Sequence, residues 1–286
     1  DSEKIRAALL KSGDTVVTLN GSTGIINVYN TNRIEAVYDI IDVDGGHKFY
    51  GNNILVSNCE FIIYDETLIS PLKLVDMNSE SPILKQGQVR WFEKPMRGHT
   101  YLVSLDPSLG TGGDFAAIQV FRLKGLKQVA EWKHNRTPIL NQITIMKEVI
   151  QYIKDIVDDQ NSIYYTVENN TIGEAALMQI AEIGEENIEG IFLSEPAKVG
   201  SARRYRKGFN TTNIKKLSAC AKLKHWVETD KMKIASGSLI SELKTFVSHG
   251  AGYQAKIGEH DDLVSAILLI VRMAVQLRQY DPDVEV

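Results

Sequence analysis

The run Tyr101 to Leu105 is apolar except for Ser104, and it ends on Asp106. After Pro107 and a glycine-rich stretch from Gly110 to Gly113, the chain resumes as a second apolar run, Phe115 to Phe121. Two such runs around a turn predict a strand hairpin. An unpaired carboxylate inside a core is costly. An acid at the tip of such a strand is therefore either a turn residue or a ligand for a cation. Asp-Pro is common turn chemistry, so Asp106 alone leaves both readings open.

Two further stretches bear on that choice. Ser162 to Val167 reads as another strand, and it too is followed by an acid, Glu168. The segment GEHDDLVSAILLIVRMAV, 258–275, places Asp261 and Asp262 at the start of a strongly apolar helix. Acids at two strand tips and one helix start can converge, and such a cluster repels itself unless cations neutralise it. Two divalent cations roughly 4 Å apart remove the repulsion and support phosphodiester hydrolysis. Neighbouring helical residues diverge by about 100°, so one acid of the pair faces the cluster while the other caps the helix. The residues do not decide which. Asp114, beyond the glycine stretch, is a supporting ligand or a plain turn residue. His260 is a substrate contact or a cap. Cys220 lies on an apolar helix face and reads as core.

The order strand-Asp, strand-Glu, helix-start Asp-Asp resembles the ribonuclease H-like nucleases. LVSLDPSLGTGGDFAAIQV, YYTVENNTIG and GEHDDLVSAI are more closely similar to the nuclease domain of the large terminase of tailed phages. The resemblance covers roughly 59–275 and rests on two motifs together, Asp-x-Ser-x-Gly-x-Gly-x-Asp and His-Asp-Asp-Leu-Val. It implies an α/β fold, a ribonuclease H-like mixed sheet with helices on both faces. It also implies a metal-dependent endonuclease cutting concatemeric double-stranded viral DNA during packaging. The expected metal ligands are Asp106, Glu168 and Asp262, with Asp114 and Asp261 in support; matching to the family pattern selects Asp262 over Asp261. Oxygen-only ligands suit two hard cations, Mg²⁺ or Mn²⁺. The implied partners are double-stranded DNA, a small terminase subunit, a portal and an ATPase domain, in the host-cell cytoplasm. Other enzymes of the same fold (transposase, integrase, junction resolvase) and a DNA-docking module without catalysis are the alternatives.

The chain has 286 residues, 43% of them hydrophobic, with a net charge of −4 and two cysteines, Cys59 and Cys220. This is globular composition without a disulfide framework. The apolar run Leu263 to Val275 is too short to span a bilayer and contains Arg272. The charge is unevenly spread: nine Lys or Arg and no acid lie between Pro196 and Val227. The densest part, Lys198, Arg203, Arg204, Arg206 and Lys207, is a candidate phosphate-binding loop with no base-reading pattern. GxxxxGK[ST] is absent from the sequence, so an ATPase motor is expected to lie outside it. Because the chain starts at Asp1, it is expected to be a fragment or a processed product.

Residues 1–58 differ from the rest. They are short strand-like runs broken by Gly, Asn and Ser, readable as a plain β-rich extension. The end, AVYDIIDVDGGHKFYGNNILVSN followed by Cys59, resembles the C-terminal splicing segment of an intein. That resemblance implies that Asn58 cyclises onto its own carbonyl, Cys59 accepts the upstream segment as a thioester, and His47 assists. Ser57 stands where the family usually has His. The N-terminal half of such an element would have to be supplied separately. The expected organisation is thus 1–58 intein segment, 59–98 linker toward an ATPase domain, and 99–286 nuclease domain. The predicted core is three antiparallel strands, then alternating helices and strands, with a short strand at 232–235, a helix at 238–247 and the last helix at 260–278.

Overall fold

The structure, a computed structural model, describes residues 11–25, 27, 48–51, 54–57, 66–196 and 207–280. The chain divides into two compact units, Asp1–Ile62 and Ile63–Val286. The first holds a four-stranded sheet of β1 (Thr15–Thr18), β2 (Gly21–Gly24), β3 (Lys48–Gly51) and β4 (Ile54–Ser57), in the order β2-β1-β4-β3 with antiparallel neighbours. His47, Asn58 and Cys59 lie outside the described residues.

The second unit is built on a seven-stranded mixed sheet. Its strands are β5 (Leu84–Gln86), β6 (Val89–Trp91), β7 (Tyr101–Asp106), β8 (Ala116–Arg122), β9 (Lys127–His134), β10 (Ile163–Val167) and β11 (Ile191–Phe192). Their order is β11-β10-β7-β8-β9-β6-β5. β7, β8 and β9 form the expected antiparallel run, while β10 joins β7 in parallel and β11 joins β10 in parallel. A parallel neighbour needs a crossover, here supplied by helix α2 (Ile139–Val157).

Helices cover both faces, as the alternation along β7 requires. Tyr101, Val103 and Leu105 face a core shared with α2 and α3 (Thr171–Ile183). Leu102 faces the other core, shared with α4 (Asn213–Glu228), α5 (Gly237–Thr245) and α6 (Asp262–Tyr280). Ser104 breaks the apolar pattern of β7, and its hydroxyl donates to the Ala266 carbonyl of α6 at 2.8 Å. Leu263, Val264, Ile267, Ile270 and Val271 are fully buried along α6. At roughly 2 kcal/mol each, an upper bound, they anchor the helix strongly enough to hold charged residues at its start.

Three local expectations are corrected. Residues 78–98 read as an extended connection. Instead, β5 and β6 form a hairpin that extends the sheet beyond β9, through Arg90↔Glu131 and Trp91↔Ala130. The cause is apolar surface that the many Pro and Gly residues disguise: Trp91 and Phe92 are both buried. α1 (Pro71–Asp76) precedes this stretch. Residues 232–235 make no strand; Lys233 forms only an isolated bridge to Lys127. The helix expected at 238–247 stops at Thr245, and β12 (Phe246–His249) turns back as a hairpin with β13 (Gly252–Ala255).

Candidate functional site

β7 and β10 run in parallel with Val167 opposite Leu105, and the Glu168 N–H donates to the Leu105 carbonyl at 3.0 Å. Asp106 and Glu168 therefore stand at the same end of adjacent strands, a spacing of about 4.8 Å. Burial pushes the Asp106 carboxyl well above the usual carboxylate range. The Glu168 charge and a hydrogen bond between the two carboxyls push the same way, followed by the charges of Asp262 and Asp261.

The loops behind the two acids are tightly held. Asn170 donates from Nδ2 to Glu168 Oε2 at 2.6 Å, while its Oδ1 caps α3 by accepting the Gly173 N–H at 2.7 Å. A Cβ on Gly173 would stand 1.7 Å from the Glu168 carbonyl oxygen, so only glycine lets α3 start this close. Past Asp106, Gln142 of α2 donates from Nε2 to the carbonyls of Ser108 at 2.8 Å and Thr137 at 2.7 Å. Gly110, at φ +70°, packs where a Cβ would meet the Thr137 carbonyl oxygen at 2.2 Å.

The acid pair at the start of α6 splits as helical geometry demands. Asp261 accepts the Ala255 N–H at 3.3 Å, lies 3.6 Å from Lys216 Nζ, and its carbonyl accepts the Ser265 N–H. Asp262 instead faces Lys133 Nζ at 3.7 Å and His260 Nδ1 at 3.5 Å. Its Oδ2 is buried and has no hydrogen-bond partner. Burial raises the Asp262 carboxyl, and the Lys133 charge opposes that. The Asp262 charge bears on Asp106 more than the Asp261 charge does. Asp114 is exposed, and its charge registers at Asp262. Among the described residues, no three His, Cys, Asp or Glu side chains stand in ready ligating geometry. Asp106 turns to Glu168, and Asp262 turns to Lys133. The donor set still fits hard divalent cations: oxygen ligands only, mutually repelling, with a buried carboxylate oxygen that has no hydrogen bond.

A family model described as the Terminase RNaseH-like domain matches residues 103–274. The chain belongs to that family. It is also similar to two solved structures of the large terminase nuclease from thermophilic phage G20c, one with bound magnesium and one with bound cobalt. The TM-score is 0.53 in both cases, at 17% and 16% identity, covering 73% of this chain and 98% of those chains. At that identity the likeness establishes the ribonuclease H-like fold.

The terminase match spans all of Asp106, Glu168, Asp261 and Asp262. It also spans residues that the sequence reading did not single out for this site: Lys133, Gln142, Asn170, Gly173 and Glu242. Of these, Glu242 carried a signal. It is an acid among Leu239, Ile240 and Leu243, on a helix face that is otherwise apolar. Lys133, at the outer end of β9, pairs with Glu242 at 2.5 Å and lies 4.3 Å from the centre of the Phe115 ring.

The basic stretch is less free in space than along the chain. Lys198, Arg203, Arg204 and Arg206 lie outside the described residues. Lys207 is ion-paired with Glu185 and Lys215 with Glu195. Lys216 pairs with Asp261 at 3.6 Å and Lys224 with Glu228 at 3.2 Å. Acids remote in sequence or beyond the end of the run neutralise much of it.

Proposed function

We propose that this chain is a divalent-metal-dependent endonuclease that cuts concatemeric double-stranded DNA during viral genome packaging. The observation that carries the reading is the pairing of Asp106 with Glu168 at adjacent parallel strand tips, beside the Asp262 end of α6, in a member of the terminase family. Asp106, Glu168 and Asp262 would hold two Mg²⁺ or Mn²⁺ ions, with Asp114 and Asp261 in support. Bound magnesium and cobalt in the phage G20c nucleases favour divalent ions of this kind. Such ions supply the positive charge that makes water a nucleophile and stabilises the leaving oxygen of a phosphodiester. The chain's own part is to fix three carboxylates on two strands and a helix, and to hold Lys133 beside Asp262. Lys198, Arg203, Arg204, Arg206 and Lys207 would bind backbone phosphates without reading bases. By family resemblance, a small terminase subunit, a portal and an ATPase domain are the partners, in the host-cell cytoplasm. Among the described residues, no helix is long and apolar enough to cross a membrane. Plasmid incubated with the protein should be cut in Mg²⁺ and left intact in EDTA; cutting that survives chelation would end the metal reading.

For residues 1–58 we propose an intein C-terminal segment. Its support is the Ser57-Asn58-Cys59 junction, following directly on β4 of an antiparallel sheet. Mixed with a matching N-terminal half, the chain should yield a product beginning at Cys59 by mass spectrometry. An Asn58→Ala chain processed as fast as its parent would refute this.

A further inference from the structure

Tyr101, at the start of β7, pairs with Arg122, and Arg122 in turn pairs with Lys127. This end of the sheet is five strand steps from Asp106, about 17 Å. The β8–β9 turn and the α4–α5 connection meet here around a cavity of about 410 Å³. Five cations line it, Arg122, Lys124, Lys127, Lys231 and Lys233, against one acid, Asp230. The chain as a whole carries −4, so composition does not explain the concentration.

The cations sit on a fixed frame. The Lys233 N–H donates to the Leu126 carbonyl at 3.0 Å, and the Gln128 N–H donates to the Lys233 carbonyl at 2.9 Å. The Lys231 and Met232 N–H groups both donate to the Trp226 carbonyl, at 2.8 and 3.0 Å. Leu126 is held at φ +34° with its side chain in the core, a sparsely populated region for leucine. Glu93 lies 3.1 Å from Lys127 and 3.5 Å from Arg122 Nε, Glu80 lies 3.8 Å from Lys127, and Asp230 pairs with Lys73. The exposed Lys231 and Lys233 form no ion pair among the described residues.

We propose that this cavity is a second phosphate-binding site, holding the sugar–phosphate backbone of DNA at the end of the sheet opposite Asp106 and Glu168. The cavity far exceeds one water's share of about 30 Å³, so a polyatomic anion fits. Its lining has no aromatic anchor of the kind protein partners use, only point charges suited to phosphates. The proposal rests on the nuclease reading, and its test is kept separate from cutting.

The full chain is titrated in EDTA with a fluorescein-labelled duplex of roughly 30 base pairs and arbitrary sequence, over a range of salt. Lys231→Glu with Lys233→Glu should weaken binding on the order of tenfold and flatten the log–log salt slope by roughly 1.8, at 0.9 per lost phosphate contact. Lys231→Gln with Lys233→Gln should flatten the slope equally, and guards against a fold damaged by charge reversal. Unchanged slopes in both variants overturn the proposal. Weaker binding to polyglutamate with unchanged binding to DNA also overturns it, and would mark a site for an acidic protein. If the parent binds the duplex but never cuts plasmid in Mg²⁺, the nuclease reading falls while the slopes still decide the second site.

Discussion

Glu242, on α5, accepts the main-chain N–H of Val264 in the first turn of α6 at 3.1 Å through Oε2, and the Lys133 ammonium at 2.5 Å through Oε1. One buried acid thus caps a helix it does not belong to and fixes the cation beside Asp262. Burial pushes its carboxyl up to about 7, against the opposing pull of Lys133. Between the unfolded value, 4.5, and about 7, the folded chain holds the proton more firmly. The stability this confers is full below 4.5 and is lost as pH rises through 7. Relative to Glu242→Gln, the parent should therefore lose melting temperature between pH 5 and pH 8, by the equivalent of about 1–3 kcal/mol. A flat difference by thermal unfolding would mean that Lys133, not burial, governs the group.

Asp106→Asn should abolish metal-dependent cutting and yet raise Tm in EDTA. It removes a carboxyl that burial and Glu168 hold well above its ordinary range. The gain should be on the order of 1–2 kcal/mol, and the rise in Tm on adding Mg²⁺ should shrink. A lower Tm in EDTA would show that the carboxylate is better supported than its neighbours suggest.

Asp262→Asn should lower kcat far more than Asp261→Asn. Asp262 Oδ2 is buried with ion-pair contacts to Lys133 and His260 but no hydrogen bond, whereas Asp261 accepts the Ala255 N–H and lies 3.6 Å from Lys216. Asp261→Asn should instead cost about 1 kcal/mol of stability, as loss of a helix-end ion pair and hydrogen bond does. Plasmid cutting and urea midpoints separate the two, and a reversed order in kcat would transfer the ligand role to Asp261.

Gly173→Ala should damage the site without altering any charge. Its Cβ would collide with the Glu168 carbonyl, so the start of α3 must move and carry Glu168 and Asn170 with it. A loss of 2 kcal/mol or more is expected, about the cost of forced overpacking. Parent-like cutting and urea midpoint in this variant would show that the loop can yield.

The strands, the long helices and the acids at their tips were legible because each is encoded locally, by alternation or by period. Asp106, Glu168 and Asp262 announce themselves as charges where an apolar run ends. The β5–β6 hairpin did not, because Trp91 finds its partners across the sheet on β9 and not within its own punctuated stretch. The surroundings of the basic run were hidden for a related reason. A sequence shows charges in order, and Glu185, Glu195 and Asp261 meet Lys207, Lys215 and Lys216 only after folding. Glu242 and Gln142 serve other elements' backbones, a role that no spacing rule exposes.

On the proposed assignment of Asp106, Glu168 and Asp262, the parallel placement of β10 beside β7 governs when this chain becomes able to cut. Asp106 enters on β7, Glu168 arrives only after the α2 crossover has closed, and Asp262 comes with α6, the last helix. Such distant contacts form late, because loop closure must precede them. A growing chain on the ribosome therefore carries each acid singly, in a setting where none can act. Competence to break DNA arrives all at once, with the completed domain.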